Sequence, residues 1–341
     1  MKTIAVYTNT CATGSYKQLW PKSFYEGLQY HTEWQSTYVT DSQLTDAEYA
    51  WCFAYQVRGD IKQSDNSHRR QIIDKYEPKG KIFYLDSDVL ISYDGFELHK
   101  DTIRTMTLEN KRWTRLPYSN IYANQGAKYF ENEFMEDALS RWEEMKELKN
   151  IDVKPYNGKG EYILITCNRG TEGYSAEKKN ATEYAIETIE EIRQYSKRPI
   201  IVRFHRVISD TQEQDFKVLS KYIEDKQDIT IQSKANNNYP DIIPVIKNAY
   251  AVCTWSSSSA TPAICEGKPL YIKSKNCFFY NMNSGDIKDI EDFKVEDKRD
   301  KWFANYAATH YNLKALNTGY YFEKVKYLNI IIYIYYYIFI F

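Results

Sequence analysis

Residues 249–272 read AYAVCTWSSSSATPAICEGKPLYI. Tyr250–Thr254 is an apolar run of strand length, followed by four consecutive serines, Ser256, Ser257, Ser258 and Ser259. A short helix is expected at Thr261–Glu266, with Pro262 near its start, and GKPLYI then supplies another strand. Buried strand, turn, helix and buried strand make one βαβ unit, the building block of a parallel sheet. Hydroxyls and free backbone N–H groups where a strand hands over to a helix suit a diphosphate. An ordinary serine N-cap is the alternative reading of the same residues.

The same alternation extends upstream. Strands are expected at Tyr162–Thr166, Pro199–Val202 and Asp228–Gln232, and helices at Ala181–Tyr195, Asp215–Ile223 and Asp241–Asn248. Within 181–195, Tyr184, Ile186, Ile189 and Ile192 recur at helical spacing. The first half repeats the scheme. Ile4–Tyr7 is a strand entering the small-residue loop TNTCATGS, Lys17–Tyr30 a helix, and Tyr49–Tyr55 a strand. A helix at Ser67–Tyr76 and a strand at Lys81–Leu85 follow. A charged helix near 135–150 precedes PYNGKG, whose proline and two glycines mark a linker. At about 100–200 residues per domain, 341 residues predict two domains. We expect an α/β protein with two Rossmann-like parallel-sheet domains, residues 1–150 and 151–295. A last helix at Lys301–Ala315, within 296–325, is expected to cross back to the first domain. Residues 326–341 form an apolar tail expected to lie outside the fold.

Composition narrows the function classes. The chain is 43% hydrophobic and 27% charged, which excludes general disorder. A net charge of −1 gives no global attraction to nucleic acid, leaving only local basic patches. The six cysteines are scattered, without CxxC spacing, so a reduced, cytoplasmic protein without structural zinc is expected. The N-terminus has no secretory pattern, and the final apolar run is shorter than the ~20 residues of a membrane helix.

Ligands of doubly wound sheets bind beyond the carboxyl ends of the strands, so the strand-end loops hold the site candidates. ITCNRGTEGYS offers Gly170 and Gly173 for close backbone approach and Arg169 for phosphate oxygens. In PIIVRFHR, the group Arg203, His205 and Arg206 leaves a strand end together and can neutralise a departing diphosphate. In IFYLDSDVL, a carboxylate can act as general base toward an acceptor hydroxyl. Asp86 and Asp88, two residues apart, can instead hold a divalent metal on a diphosphate. On the acceptor side the candidates are Thr10, Gly14, Ser15, Arg58, Arg112 and Arg115. The runs His68-Arg69-Arg70 and Lys111–Arg115 are candidates for phosphate contacts, or else solvated faces.

The segments KIFYLDSDVL, NIYANQGAKYF, SRWEEM, TCNRGTEGYS, RPIIVRFHR and WSSSSATPAICEGKP together resemble the GT-B glycosyltransferases. They are similar to a phage group distantly related to the T-even phage DNA β-glucosyltransferases. The resemblance spans roughly residues 1–325. It implies two domains facing across a cleft and a catalytic base at Asp88. It also implies a donor-phosphate loop at Asn168, Arg169, Gly170, Gly173 and Ser175. The family's ribose-holding glutamate falls on Pro262, leaving Glu266 one turn later as a substitute, and His205-Arg206 departs from the family's His-Pro.

The function expected is sugar transfer from a nucleotide diphosphate donor, a UDP-sugar foremost, to a hydroxymethylated pyrimidine in phage DNA, in the host cytoplasm. No tightly bound cofactor is expected, with a divalent metal as the DxD alternative. Transfer to a capsule or lipid-linked glycan is the other enzymatic reading. A catalytically inactive module binding nucleotide sugar or DNA is the non-enzymatic one.

Overall fold

The computed structural model describes residues 1–10, 18–53, 67–85, 114–116, 135–148, 150–168, 180–205, 212–275, 277 and 279–324. Its first sheet contains β1 (Lys2–Tyr7), β2 (Trp34–Val39), β3 (Tyr49–Phe53) and β4 (Ile82–Leu85), all parallel, in the order β2-β1-β3-β4. Helices α1 (Leu19–Leu28) and α2 (Ser67–Tyr76) lie among them in sequence. Residues of β3 and β4 are buried throughout, as covering both faces of a parallel sheet requires. On one face Ile4, Val6, Trp51 and Phe83 meet Trp20, Phe24 and Leu28 of α1. On the other, Ala5, Tyr7, Cys52 and Tyr84 meet Ile72, Ile73 and Tyr76 of α2.

Strand β2 has no counterpart in the sequence expectations. It is an edge strand, half-buried or exposed up to the buried Val39, and Gln35, Ser36 and Thr37 dilute its apolar signal. It is held by its pairing with β1 and by Trp34, whose ring meets Tyr49 edge-on at 5.0 Å.

Beyond this sheet come the two-residue strand β5 (Thr114–Arg115) and α3 (Met135–Leu148). The second sheet is built from β6 (Tyr162–Thr166), β7 (Ile200–Arg203), β8 (Ile229–Gln232), β9 (Ala249–Thr254) and β10 (Leu270–Ile272). It is parallel, in the order β10-β9-β6-β7-β8. Its helices are α4 (Ala181–Arg193), α5 (Gln212–Tyr222), α6 (Ile242–Asn248) and α7 (Ala260–Cys265). Helix α4 starts at a capping box: Glu183 N–H donates to Asn180 Oδ1 at 2.9 Å, and Asn180 N–H to Glu183 Oε2 at 3.0 Å. Its buried Tyr184, Ile189 and Ile192 pack on Ile163 and Ile165 of β6. The chain is therefore α/β, with two parallel sheets and alternating helices.

The helix expected at Lys301–Ala315 is instead α8 (Arg299–Ala308), the strand β11 (His310–Tyr311) and α9 (Leu313–Asn317). The interruption has a tertiary cause. β11 pairs antiparallel with β5, and Leu116 N–H donates to Thr309 O at 2.8 Å, which draws the chain out of the helix. Asn312 restarts it by accepting Ala315 N–H at 3.0 Å. Trp142 of α3 stacks on Phe303 of α8 at 4.0 Å. Leu316, Tyr321 and Phe322 enter the core of the first sheet, where Phe322 lies 4.7 Å from Phe24.

Residues 155–160, expected as a linker, are packed against the base of the second sheet. Lys154 N–H donates to Cys265 O at 2.7 Å, and Asn157 N–H to Gly267 O at 2.8 Å. Backbone hydrogen bonds to the α7–β10 turn, which the composition of the segment does not reveal, hold it there.

Candidate functional site

In the second sheet the chain runs from β6 outward through β7 and β8, then crosses to β9 and β10 on the other flank. The point of reversal lies between β6 and β9, where the loops leaving their carboxyl ends part to opposite sides. Such points are where ligands of doubly wound sheets bind.

The described residues there form one network of hydroxyl and amide groups. Asn168, just past β6, donates from Nδ2 to Ser256 Oγ at 2.7 Å and accepts Ser256 N–H at Oδ1 at 3.3 Å. Ser259 Oγ lies 2.8 Å from Thr166 Oγ1 and 3.0 Å from Ser257 Oγ. Ser257 N–H donates to Thr254 Oγ1 at 3.1 Å. Thr166 and Thr254 are buried, whereas Asn168 and Ser256–Ser259 are half-buried, so the threonines support a polar surface presented by the serines. Trp255 anchors the turn from below, buried and edge-on to Tyr184 of α4. Ser259 precedes α7 and makes no capping hydrogen bond, whereas Ser257 Oγ accepts Ser259 N–H at 3.3 Å, so the capping reading holds for Ser257. Thr166 and Thr254 are members that the Ser and Gly pattern did not single out. The only local signal for them is a threonine at each strand end.

Arg203 is placed differently from its expected role. It ends β7, opposite Thr166 in register, on the same sheet edge as the serine turn. Its guanidinium donates to Gln232 Oε1 at 2.7 Å and to Pro240 O at 2.8 Å, and lies 3.9 Å from the Tyr239 ring. The residue is 5% exposed, and burial lowers its pKa. It locks the 233–240 loop onto the sheet instead of projecting with His205 toward a ligand. His205 is half-buried, and its carbonyl accepts Gln212 Nε2–H at 2.9 Å. Glu266 also departs from expectation. It caps the far end of α7, 6% exposed, near the amino ends of the strands, so it cannot replace a ribose-binding acid beside the serines. Pro262 is buried within α7. Arg169, Gly170, Gly173, Ser175 and Arg206 lie outside the described residues.

In the first sheet the reversal falls between β1 and β3. Thr10, expected as an acceptor contact, is buried there. Its hydroxyl donates to Tyr7 O at 2.7 Å and accepts Phe53 N–H at 3.0 Å, so it pins the two strand ends together. The run His68-Arg69-Arg70 is no open basic patch. Arg69 donates to Thr10 O at 2.7 Å, and the exposed Arg70 pairs with Asp74 at 2.8 Å. Both ring nitrogens of His68 are buried without hydrogen-bond partners among the described residues, and the ring meets Tyr7 edge-on at 5.4 Å. Gly14, Ser15, Arg58, Asp86, Asp88 and Arg112 lie outside the described residues, and Arg115 is described only as backbone in β5. Among the described residues, no three His, Cys, Asp or Glu side chains gather as metal ligands. No helix among them is long and apolar enough to cross a membrane.

The surroundings of His68 set a pH dependence. Burial lowers its pKa below 6.5, against a smaller opposing pull from Asp41. The unfolded chain takes up this proton near 6.5, whereas the folded chain does so only at lower pH. Stability is therefore lost as pH falls from 6.5 toward the lowered value. Thermal melts from neutral pH downward should show this loss in the wild type. In His68→Phe, which removes the titration, the loss should be smaller. Identical pH profiles would exclude His68 as its source.

Two parallel sheets with alternating helices define a doubly wound α/β architecture, whose ligands bind at such switch points. No family model matches the chain, and no curated protein matches it. Among solved structures, it is similar to the beta Kdo 2,7 transferase of Thermosulfurimonas dismutans KpsC. The TM-score is 0.46 at 12% identity, over 94% of this chain and 98% of that one. The beta Kdo 2,4 transferase of the same KpsC gives a TM-score of 0.45 at 10% identity, over 89% of each chain. The UDP-GlcNAc 2-epimerase of Methanocaldococcus jannaschii, in complex with UDP-GlcNAc and UDP, gives 0.29 at 12% identity, over 98% of this chain and all of that one. Likeness at this level assigns neither family nor activity.

Proposed function

We propose that the chain is a glycosyltransferase of GT-B arrangement that uses a nucleotide diphosphate sugar. One observation carries this reading: Asn168, Ser256, Ser257 and Ser259 gather into a polar network at the β6/β9 switch point. In this reading the network receives the donor diphosphate, and Arg169 and Arg206 neutralise its charge as it leaves. Asp88 takes the proton from the acceptor hydroxyl as that oxygen bonds to the sugar carbon and the sugar–phosphate bond breaks.

The acceptor is a hydroxyl of either hydroxymethylated DNA or a glycan. Thr10 O orders Arg69 and Asp74 offsets the charge of Arg70, so this run is partly committed within the fold, which weakens it as a contact to a duplex backbone. Arg58, Arg112 and Arg115 carry the DNA alternative. A transfer assay of UDP-sugars against hydroxymethylcytosine DNA, hydroxymethyluracil DNA and capsule oligosaccharides separates the two.

Calorimetry with UDP tests the donor half. Arg169→Ala should weaken binding by roughly 1.5–3 kcal/mol and Asn168→Ala by about 0.5–1.5 kcal/mol, the ranges for charged and neutral hydrogen bonds. Wild-type affinity in both variants would remove the donor from this switch point.

A further inference from the structure

On the opposite edge of the second sheet from the serine turn, at the amino ends of β6, β9 and β10, lies an open cavity of about 570 Å3. Four lysines, Lys154, Lys159, Lys247 and Lys268, line it against two carboxylates, Glu161 and Glu266. Its frame is firm. Gly267 has φ 66°, and a Cβ there would lie 2.1 Å from Pro155 O, so only glycine admits this contact between segment and turn.

Lys268 sits deepest, 3% exposed. Its Nζ donates to Asn157 Oδ1 and to Lys159 O, both at 2.9 Å and both neutral. Burial lowers its pKa, with Glu266 opposing more weakly. A buried ammonium with only neutral acceptors is costly, and an anion beside it offsets that cost. The other ammonium groups are partly engaged. Lys154 pairs with Asp152, and Lys247 lies 3.9 Å from Glu266, while Lys159 is exposed at the rim.

We propose that this cavity is a second ligand site, for a phosphate group. With Lys154 held by Asp152, Lys159, Lys247 and Lys268 face the two carboxylates of the lining, a net positive charge for an anion, and lysines act as point charges toward phosphate. The site is separate from the serine turn. Five residues of β6 at about 3.3 Å each put roughly 16 Å between the two sheet edges, beyond the span of one diphosphate. Free phosphate and a phosphorylated sugar share this chemistry.

Calorimetry on the full chain tests the site with two probes, inorganic phosphate and glucose 1-phosphate. Saturable phosphate binding is expected, weakened about tenfold or more by the double variant Lys159→Gln/Lys247→Gln, as the loss of charged contacts predicts. Both lysines reach the surface, so the variant should fold like the wild type, which circular dichroism checks. Asn168→Ala should leave this binding unchanged. Tighter binding of glucose 1-phosphate supports the site with a phosphorylated sugar as its ligand, and equal binding supports it with free phosphate. Absence of saturable binding at millimolar phosphate overturns the proposal. So does binding that the lysine variant leaves intact, or binding that Asn168→Ala abolishes. Absence of phosphate binding, or its survival in the lysine variant, does not bear on UDP binding at the serine turn, so this site can fail while that one stands.

Discussion

Asp88→Asn is expected to lower glycosyl transfer by about 10²–10⁴-fold, the usual contribution of a general base. Asparagine keeps the shape and hydrogen-bonding capacity of the side chain but cannot accept the proton. UDP affinity should remain that of the wild type, because the lost interaction belongs to the transition state. Single-turnover rates together with calorimetry measure both quantities. Equal losses in Asp86→Asn and Asp88→Asn, accompanied by loss of a bound divalent ion, would assign the pair to metal holding. Unchanged rates in both variants would remove Asp88 from the chemistry and place the base elsewhere.

Trp51→Ala is expected to cost about 3–5 kcal/mol of stability, the range for truncating a buried aromatic. Trp51 is fully buried in β3, between Val6 and Phe83 in register, with Phe24 of α1 at 5.6 Å. Its indole Nε1–H has no acceptor among the described residues. Both variants remove that donor, but phenylalanine keeps most of the buried ring, so Trp51→Phe should be much milder than Trp51→Ala. Urea denaturation of the three proteins measures the difference. Equal costs for the two variants would mean that ring packing at this position does not carry the loss.

The fold was legible wherever a strand is buried on both faces. β1, β3, β4, β6 and β9 are apolar runs bounded by turn residues, and such runs have few other structural solutions. β2 escaped because an edge strand needs little apolar content, and its polar residues face outward. The break between α8 and α9 escaped because β5, which causes it, lies nearly 200 residues earlier in the chain. At the candidate site, the serine turn stood out by residue type and position, whereas Asn168 entered only through the resemblance. The fate of Arg203 was not. An arginine at a strand end reads as a ligand contact until Gln232, Pro240 and Tyr239 are seen to enclose it. Thr10 and Arg69 carry the same lesson, since each is held by a partner remote in sequence.

The insertion of Leu316, Tyr321 and Phe322 beside Phe24 and Trp51 has a consequence for biogenesis. A ribosome extrudes the first sheet long before it makes the residues that complete that sheet's core. All strands and helices of the second sheet emerge in between, packing on one another and, on one face, on Trp302, Phe303 and Tyr306 of α8. The second sheet lacks α8 on one face until residues 299–308 emerge, and the N-terminal half stays open longer, until Leu316, Tyr321 and Phe322 follow. A stop codon before Leu313 would leave that half incomplete, however much of the second sheet had already formed.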